Sequence, residues 1–261
     1  MASILHPMVL VFDLNGTLLD NRAVQPALRS IFGRKLSSEE YFTRVLEYCM
    51  AVTLTGQYRS FSDIALAVLG MEADARRVTL TEGSTKRVAA DLKSLPAFCD
   101  VKHSLRRLRK ANFRLAVLTN SASEDAREQL NSAGLGEYFD TVLSVAEVRR
   151  FKPSPEPYAL AANSLGVQPY EILLVAAHPW DLMGAAAAGC RTAFIQRPGK
   201  ALFPGALKPT YVARDLNDLV AQLSSASGQS KWRVVPALAA VSALSALALL
   251  AGSMRSRASH N

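Results

Sequence analysis

Asp13 closes an apolar run, Val9, Leu10, Val11 and Phe12, and is followed by Gly16 and Thr17. Such a run reads as a buried parallel strand, and a carboxylate at its carboxyl end sits where ligands of these sheets bind. An aspartate with an ordinary pKa of about 3.9 is ionised at neutral pH, which makes Asp13 a candidate nucleophile. Gly16 allows a turn without a Cβ, and Thr17 supplies a hydroxyl able to bind an anion. A turn-capping aspartate is the plainer alternative. Thr119-Asn120 ends a second apolar run and offers a hydroxyl and an amide, although a helix N-terminus would use the same letters. Lys152 precedes Pro153, which favours an extended backbone. A lysine there would neutralise both a nucleophile and an anionic substrate, or would simply be a surface lysine. Asp181, closing "AAHPWD", is a second candidate acid or the N-cap of a helix over 182–189.

The elements that must position these residues follow from the pattern. The first strand is expected at about 8–13. Residues 20–98 read mostly as helices. Ser37 and Glu40 form a capping box, and Phe42, Val45, Leu46, Cys49 and Met50 share one helical face. A further helix is expected near 61–69. From about residue 100, helix and strand alternate: a basic helix "VKHSLRRLRKAN", a strand "FRLAVLTN", a helix with a capping box at Ser121 and Glu124 and a stop at Gly134, and a strand "FDTVLSV". A Pro-rich start then leads a helix to Gly166. The strand "EILLVAA", a short helix, the strand "RTAFIQ" and a last small strand and helix complete the series. This alternation predicts an α/β fold, a doubly wound Rossmann-like parallel sheet. The expected division is a core of 1–19 and 100–222, an inserted α-helical cap at 20–99, a Ser/Gly linker at 223–233 and an apolar helix at 234–254.

The chain has 261 residues, 49% apolar and 20% charged, with a net charge of +8. The size permits one or two domains with a substantial core. The basic balance favours anionic partners, but no RNA- or DNA-binding motif accompanies it, so nucleic acid is not expected. Three scattered cysteines predict buried free thiols in a reducing compartment. No secretory signal is evident at the N-terminus, which points to the cytoplasm. Residues 234–252 carry no charge and are long enough to cross a bilayer, so a C-terminal membrane anchor is a second expectation. The basic helix near 102–114 reads as a solvated face, with anionic lipid as the alternative.

The order DxxGT, then TN, then K-P, then a loop ending in Asp, on an α/β core interrupted after its first strand, resembles the haloacid dehalogenase superfamily. "LEY" at 46–48, "KPSPEPY" at 152–158 and "HPWD" at 178–181 are similar to its type II, L-2-haloacid dehalogenase branch. The resemblance covers about residues 8–222. It implies that Asp13 attacks the α-carbon of a small 2-haloacid, that halide leaves with inversion, and that water hydrolyses the resulting aspartyl ester. Lys152 and Asp181 complete the implied catalytic set. Thr17, Phe42, Thr119, Asn120, Tyr158, His178 and Trp180 are the implied substrate-side residues. The resemblance implies no metal and no other cofactor, and it allows a homodimer.

The same comparison exposes departures. The phosphatase branch places an Asp two residues after the nucleophile, to transfer a proton. Asn15 stands there and cannot. Ala177 stands where that branch usually has an acid in the fourth loop, so a Mg²⁺ site would have fewer carboxylates. The dehalogenase branch places an arginine where this chain has Phe42. Arg44 lies about 200° further round the helix and should point elsewhere. Ala176 and His178 replace a serine and an asparagine. Three functions therefore stand open: a dehalogenase, a Mg²⁺-dependent phosphatase, and a membrane-tethered binding module.

Overall fold

The computed structural model describes residues 9–227. Its centre is β1 (Val9–Phe12), whose four residues are all inaccessible to solvent. Five further strands extend the sheet: β2 (Arg114–Thr119), β3 (Thr141–Ser144), β4 (Ile172–Ala176), β5 (Arg191–Ile195) and β6 (Tyr211–Ala213). The spatial order is β3-β2-β1-β4-β5-β6, and every pairing is parallel. Parallel strands need crossovers that cover both faces, which is why β1 reads as an unbroken apolar run.

Helices supply the crossovers. After β1 come α1 (Gln25–Phe32), α2 (Ser38–Leu54), α3 (Phe61–Arg76) and α4 (Glu82–Lys93), then α5 (Val101–Lys110) leading into β2. The rest are α6 (Ser123–Ser132), α7 (Pro155–Leu165), α8 (Pro179–Ala187) and α9 (Leu216–Ser227). Val9 and Val11 share a core layer with Tyr158 and Leu165 of α7 and Leu182 of α8. Phe12 meets Phe139 edge to face at 6.0 Å. The described residues through Gln222 group into one compact unit that holds both the sheet and helices α1–α4.

Local expectations meet the structure in mixed fashion. The Ser37/Glu40 capping box forms in full, and Gly166 ends α7 in the left-handed conformation. α5 buries Val101, Ser104, Leu105 and Leu108, while its Arg and Lys side chains face solvent. The Ser121/Glu124 box does not form. The N-cap of α6 is Ala122, with no side-chain cap, because the Ser121 hydroxyl accepts the amide of Asn15 at 3.0 Å. Cys49 and Cys190 are buried free thiols, but Cys99, in the loop before α5, is exposed. Among the described residues no helix is long and apolar enough to cross a membrane. The linker and the apolar helix expected at 234–254 lie outside the described residues.

Candidate active site

The strand ends converge on Asp13. Its N–H donates to Val175 O at 3.0 Å, so sheet pairing runs one residue past β1 and fixes the residue's backbone. The chain then coils tightly. The N–H groups of Thr17, Leu18 and Leu19 all turn back to Leu14 O, with Gly16 at φ +78°. A side chain at Gly16 would be strained there, and its Cβ would lie 2.9 Å from His178 Cε1. This coil returns the Thr17 hydroxyl to Asp13, where it donates to Oδ2 at 2.6 Å. The same oxygen of Thr17 accepts from Ala177 N at 2.9 Å, locking the first loop to the fourth.

Lys152 is fully buried. Its Nζ donates to Asp13 Oδ1 (2.9 Å), Asp181 Oδ2 (2.6 Å) and Leu118 O (3.0 Å), which uses all three of its donors. Asn120 Oδ1 holds the Lys152 N–H at 3.1 Å. The Lys152–Pro153 peptide is cis. Asp181 is not an N-cap. His178 takes that position, and Asp181 lies in the first turn of α8 with its carboxylate turned inward. Its Oδ1 accepts the Tyr158 hydroxyl at 2.7 Å. α8 comes this close because of Gly184, whose added Cβ would lie 2.6 Å from the Tyr158 hydroxyl oxygen.

One ammonium between two carboxylates cannot favour both equally. Burial tends to raise the Asp13 pKa. The charges of Lys152 and His178 and their hydrogen bonds outweigh it and hold the carboxyl well below the usual range. Asp181 moves the other way. Burial is its largest influence, and the negative charge of Asp13 adds to it, so its pKa is raised. For Lys152, burial works against the charge, but the two carboxylates prevail and raise its pKa. The result is an ionised Asp13 beside a permanent ammonium.

The cavity in front of Asp13 has a volume of about 110 Å³, below the roughly 300 Å³ at which drug-sized sites begin. Asp13, Asn15, Phe42, Thr119, Asn120, His178 and Trp180 line it. Lys152, Thr17, Asp181 and Tyr158 do not line it and stand behind the carboxylate. For Thr17 and Tyr158 this differs from the expected substrate side, because the coil after β1 and the helix α8 turn both hydroxyls toward the acids. Phe42 faces the cavity from α2, its ring edge-on to Tyr41. Arg44 points away, paired with Glu47 at 2.9 Å. His178 Nδ1 lies 2.9 Å from Asp13 Oδ2, and the ring leans on Trp180 with centroids 5.2 Å apart.

Several lining residues were not expected from the sequence, and Arg197 is the one bonded to the loop that carries Thr17. Arg197 is buried, two residues beyond β5, with Nε on Thr17 O (2.9 Å) and Nη1 on Asp100 Oδ1 (2.8 Å). Its guanidinium lies 4.1 Å from the centroid of the Phe98 ring. The signal was available, since Arg197 follows a strand end as Asp13 does. Among the described residues, no group of three or more His, Cys, Asp or Glu side chains converges to hold a metal.

A buried carboxylate at the central strand end, held by a lysine that also pairs with a second aspartate, defines a class. A profile described as haloacid dehalogenase-like hydrolase matches residues 7–189, and the chain belongs to that family. It is 34% identical over 193 residues to (S)-2-haloacid dehalogenase 1 of Pseudomonas sp. (strain CBS-3), covering 73% of this chain and 85% of that protein. It is 31% identical over 233 residues to (S)-2-haloacid dehalogenase of Pseudomonas sp. (strain YL), covering 85% and 97%. The solved L-2-haloacid dehalogenase of Xanthobacter autotrophicus with chloropropionic acid covalently bound superposes with a TM-score of 0.76 at 26% identity. It covers 84% of this chain and 99% of that one.

Proposed function

We propose that this protein hydrolyses the carbon–halogen bond of a small 2-haloacid through an ester on Asp13, without a cofactor. The observation that carries the reading is the clamp on Asp13: Lys152 on one carboxylate oxygen, Thr17 and His178 on the other. A carboxylate held ionised and oriented at the edge of a small cavity is prepared for in-line displacement. One Asp13 oxygen bonds to the α-carbon while the carbon–halogen bond breaks, and the halide departs with the electron pair. Water then attacks Cγ of Asp13, the ester bond to the substrate oxygen breaks, and the 2-hydroxyacid leaves.

Lys152 and Asp181 keep the nucleophile in place from behind and hold their geometry as charge shifts during the reaction. Thr119, Asn120 and Trp180 receive the substrate, and Phe42 walls the halide side with its ring edge. Helices α1–α4 serve as the cap, with α2 contributing the cavity's outer wall. The decisive experiment measures halide release from L-2-chloropropionate in the presence of EDTA. Release by wild type and none by Asp13→Asn supports the reading. Turnover of p-nitrophenyl phosphate that EDTA abolishes, with no halide release, overturns it.

A further inference from the structure

The cavity has a charge problem. Asp13 and Asp181 bring two negative charges and Lys152 one positive, so the centre is net negative before an anionic substrate arrives. Of the cations that line the cavity, Arg22 pairs with Asp20, Lys200 with Glu39 and Arg197 with Asp100, and Arg197 keeps one buried donor, Nη2, without a partner. At position 42, where an arginine would offset the charge, the chain has Phe42. Asp13, Asp181 and Lys152 together thus present a net negative centre to a haloacid carboxylate.

His178 is placed to correct this. Three side chains bond to the Asp13 carboxylate, namely Lys152, Thr17 and His178, and of these His178 alone lines the cavity. An ionised carboxylate only accepts hydrogen bonds, so the proton of that contact belongs to His178 Nδ1. Nε2 has no hydrogen-bond partner among the described residues. In the neutral ring Nε2 presents a lone pair, which repels a carboxylate. In the imidazolium it presents a second N–H, which binds one. Of the charged groups, Asp13 touches the ring directly, and Asp20, Arg22, Glu39, Arg197 and Lys200 line the same cavity.

We propose that His178 is the substrate-carboxylate receptor of this enzyme, binding as imidazolium with Nδ1–H on the nucleophile and Nε2–H on the substrate anion. This rests on the dehalogenase reading and names the charge source for that reaction. Substrate binding is then linked to uptake of one proton, and affinity falls tenfold for each pH unit above the titration of the ring.

Calorimetric titration with propionate, the substrate without its halogen, separates this inference from the reading it rests on. In wild type between pH 5.5 and 8.5, Kd weakens towards tenfold per unit at the alkaline end. Two buffers of different ionisation enthalpy report close to one proton taken up there. His178→Asn abolishes the slope and binds at every pH as weakly as wild type does at its alkaline limit. A flat wild-type profile, no proton uptake, no propionate binding at pH 5.5, or a slope that survives in His178→Asn overturns the proposal. If His178→Asn does not fold, His178→Gln serves, and the wild-type proton count decides regardless. Halide release from L-2-chloropropionate judges the dehalogenase reading separately.

Discussion

The two sides of Asp13 are built by different rules. Behind it, Lys152, Thr17, Asp181 and Tyr158 form a sealed layer, inaccessible or nearly so and bonded to Asp13 or to one another at 2.6–2.9 Å. In front, Asn15 leaves Oδ1 without a partner, Arg197 leaves Nη2 without one, and Phe42 brings no polar atom. An unpaired buried group costs about 1–3 kcal/mol, so the front holds interactions in reserve while the rear has completed its own. The departures from the dehalogenase pattern at Phe42 and His178 fall on the front, and Ala176 is the exception. On the proposed reading, the rear holds the nucleophile and the front receives the substrate.

The largest test removes the boundary between them. Asp13→Asn should lower halide release by at least about four orders of magnitude, as loss of a covalent nucleophile does elsewhere, measured as initial rates in ion chromatography. Next comes the rear. Lys152→Met strands two buried carboxylates and should cost about 3–5 kcal/mol in urea denaturation. A loss below about 1 kcal/mol would break the claim that this layer is sealed. Tyr158→Phe removes only the hydroxyl on Asp181, so kcat should fall about tenfold with KM little changed. At the front the sign reverses. Phe42→Arg should lower KM for 2-chloropropionate by about tenfold, the value of one charge-assisted hydrogen bond, and should flatten the pH dependence assigned to His178.

The smallest effect concerns acid stability. The folded pKa of Asp13 lies below its unfolded value, so its contribution is present above about pH 4 and fades as pH falls towards the folded value. Asp13→Asn should lack that acid decline in urea midpoints taken from pH 7 down to pH 3. Asp181, raised rather than lowered, contributes with the opposite sign.

Much of this arrangement was legible in the sequence because buried parallel strands are written as apolar runs and their ends as abrupt polar letters. Asp13, Thr119 and Asn120 are legible that way, Lys152 through the proline that follows it and Asp181 through the loop after β4, and the structure brings them together. The strand order β3-β2-β1-β4-β5-β6 was not legible, since it depends on pairings between residues more than a hundred positions apart. Tertiary demand also overrode local grammar. Ser121 gave its hydroxyl to Asn15 instead of capping α6, and Asp181 turned to Lys152 and Tyr158 instead of capping α8. The contact between His178 and Asp13 spans 165 positions, and nothing in either local segment announces it.

The central place of β1 has a consequence for how the protein is made. Among the described strands it is the earliest in the chain, yet its two neighbours, β2 and β4, follow about 100 and about 160 residues later. At roughly 5–20 residues per second, the run Val9–Phe12 waits on the order of ten seconds for its first sheet partner. During that interval an apolar segment with no ladder to join is open to aggregation. Asp13 leaves the ribosome before Lys152, His178 and Asp181 and must wait for all three before its surroundings exist.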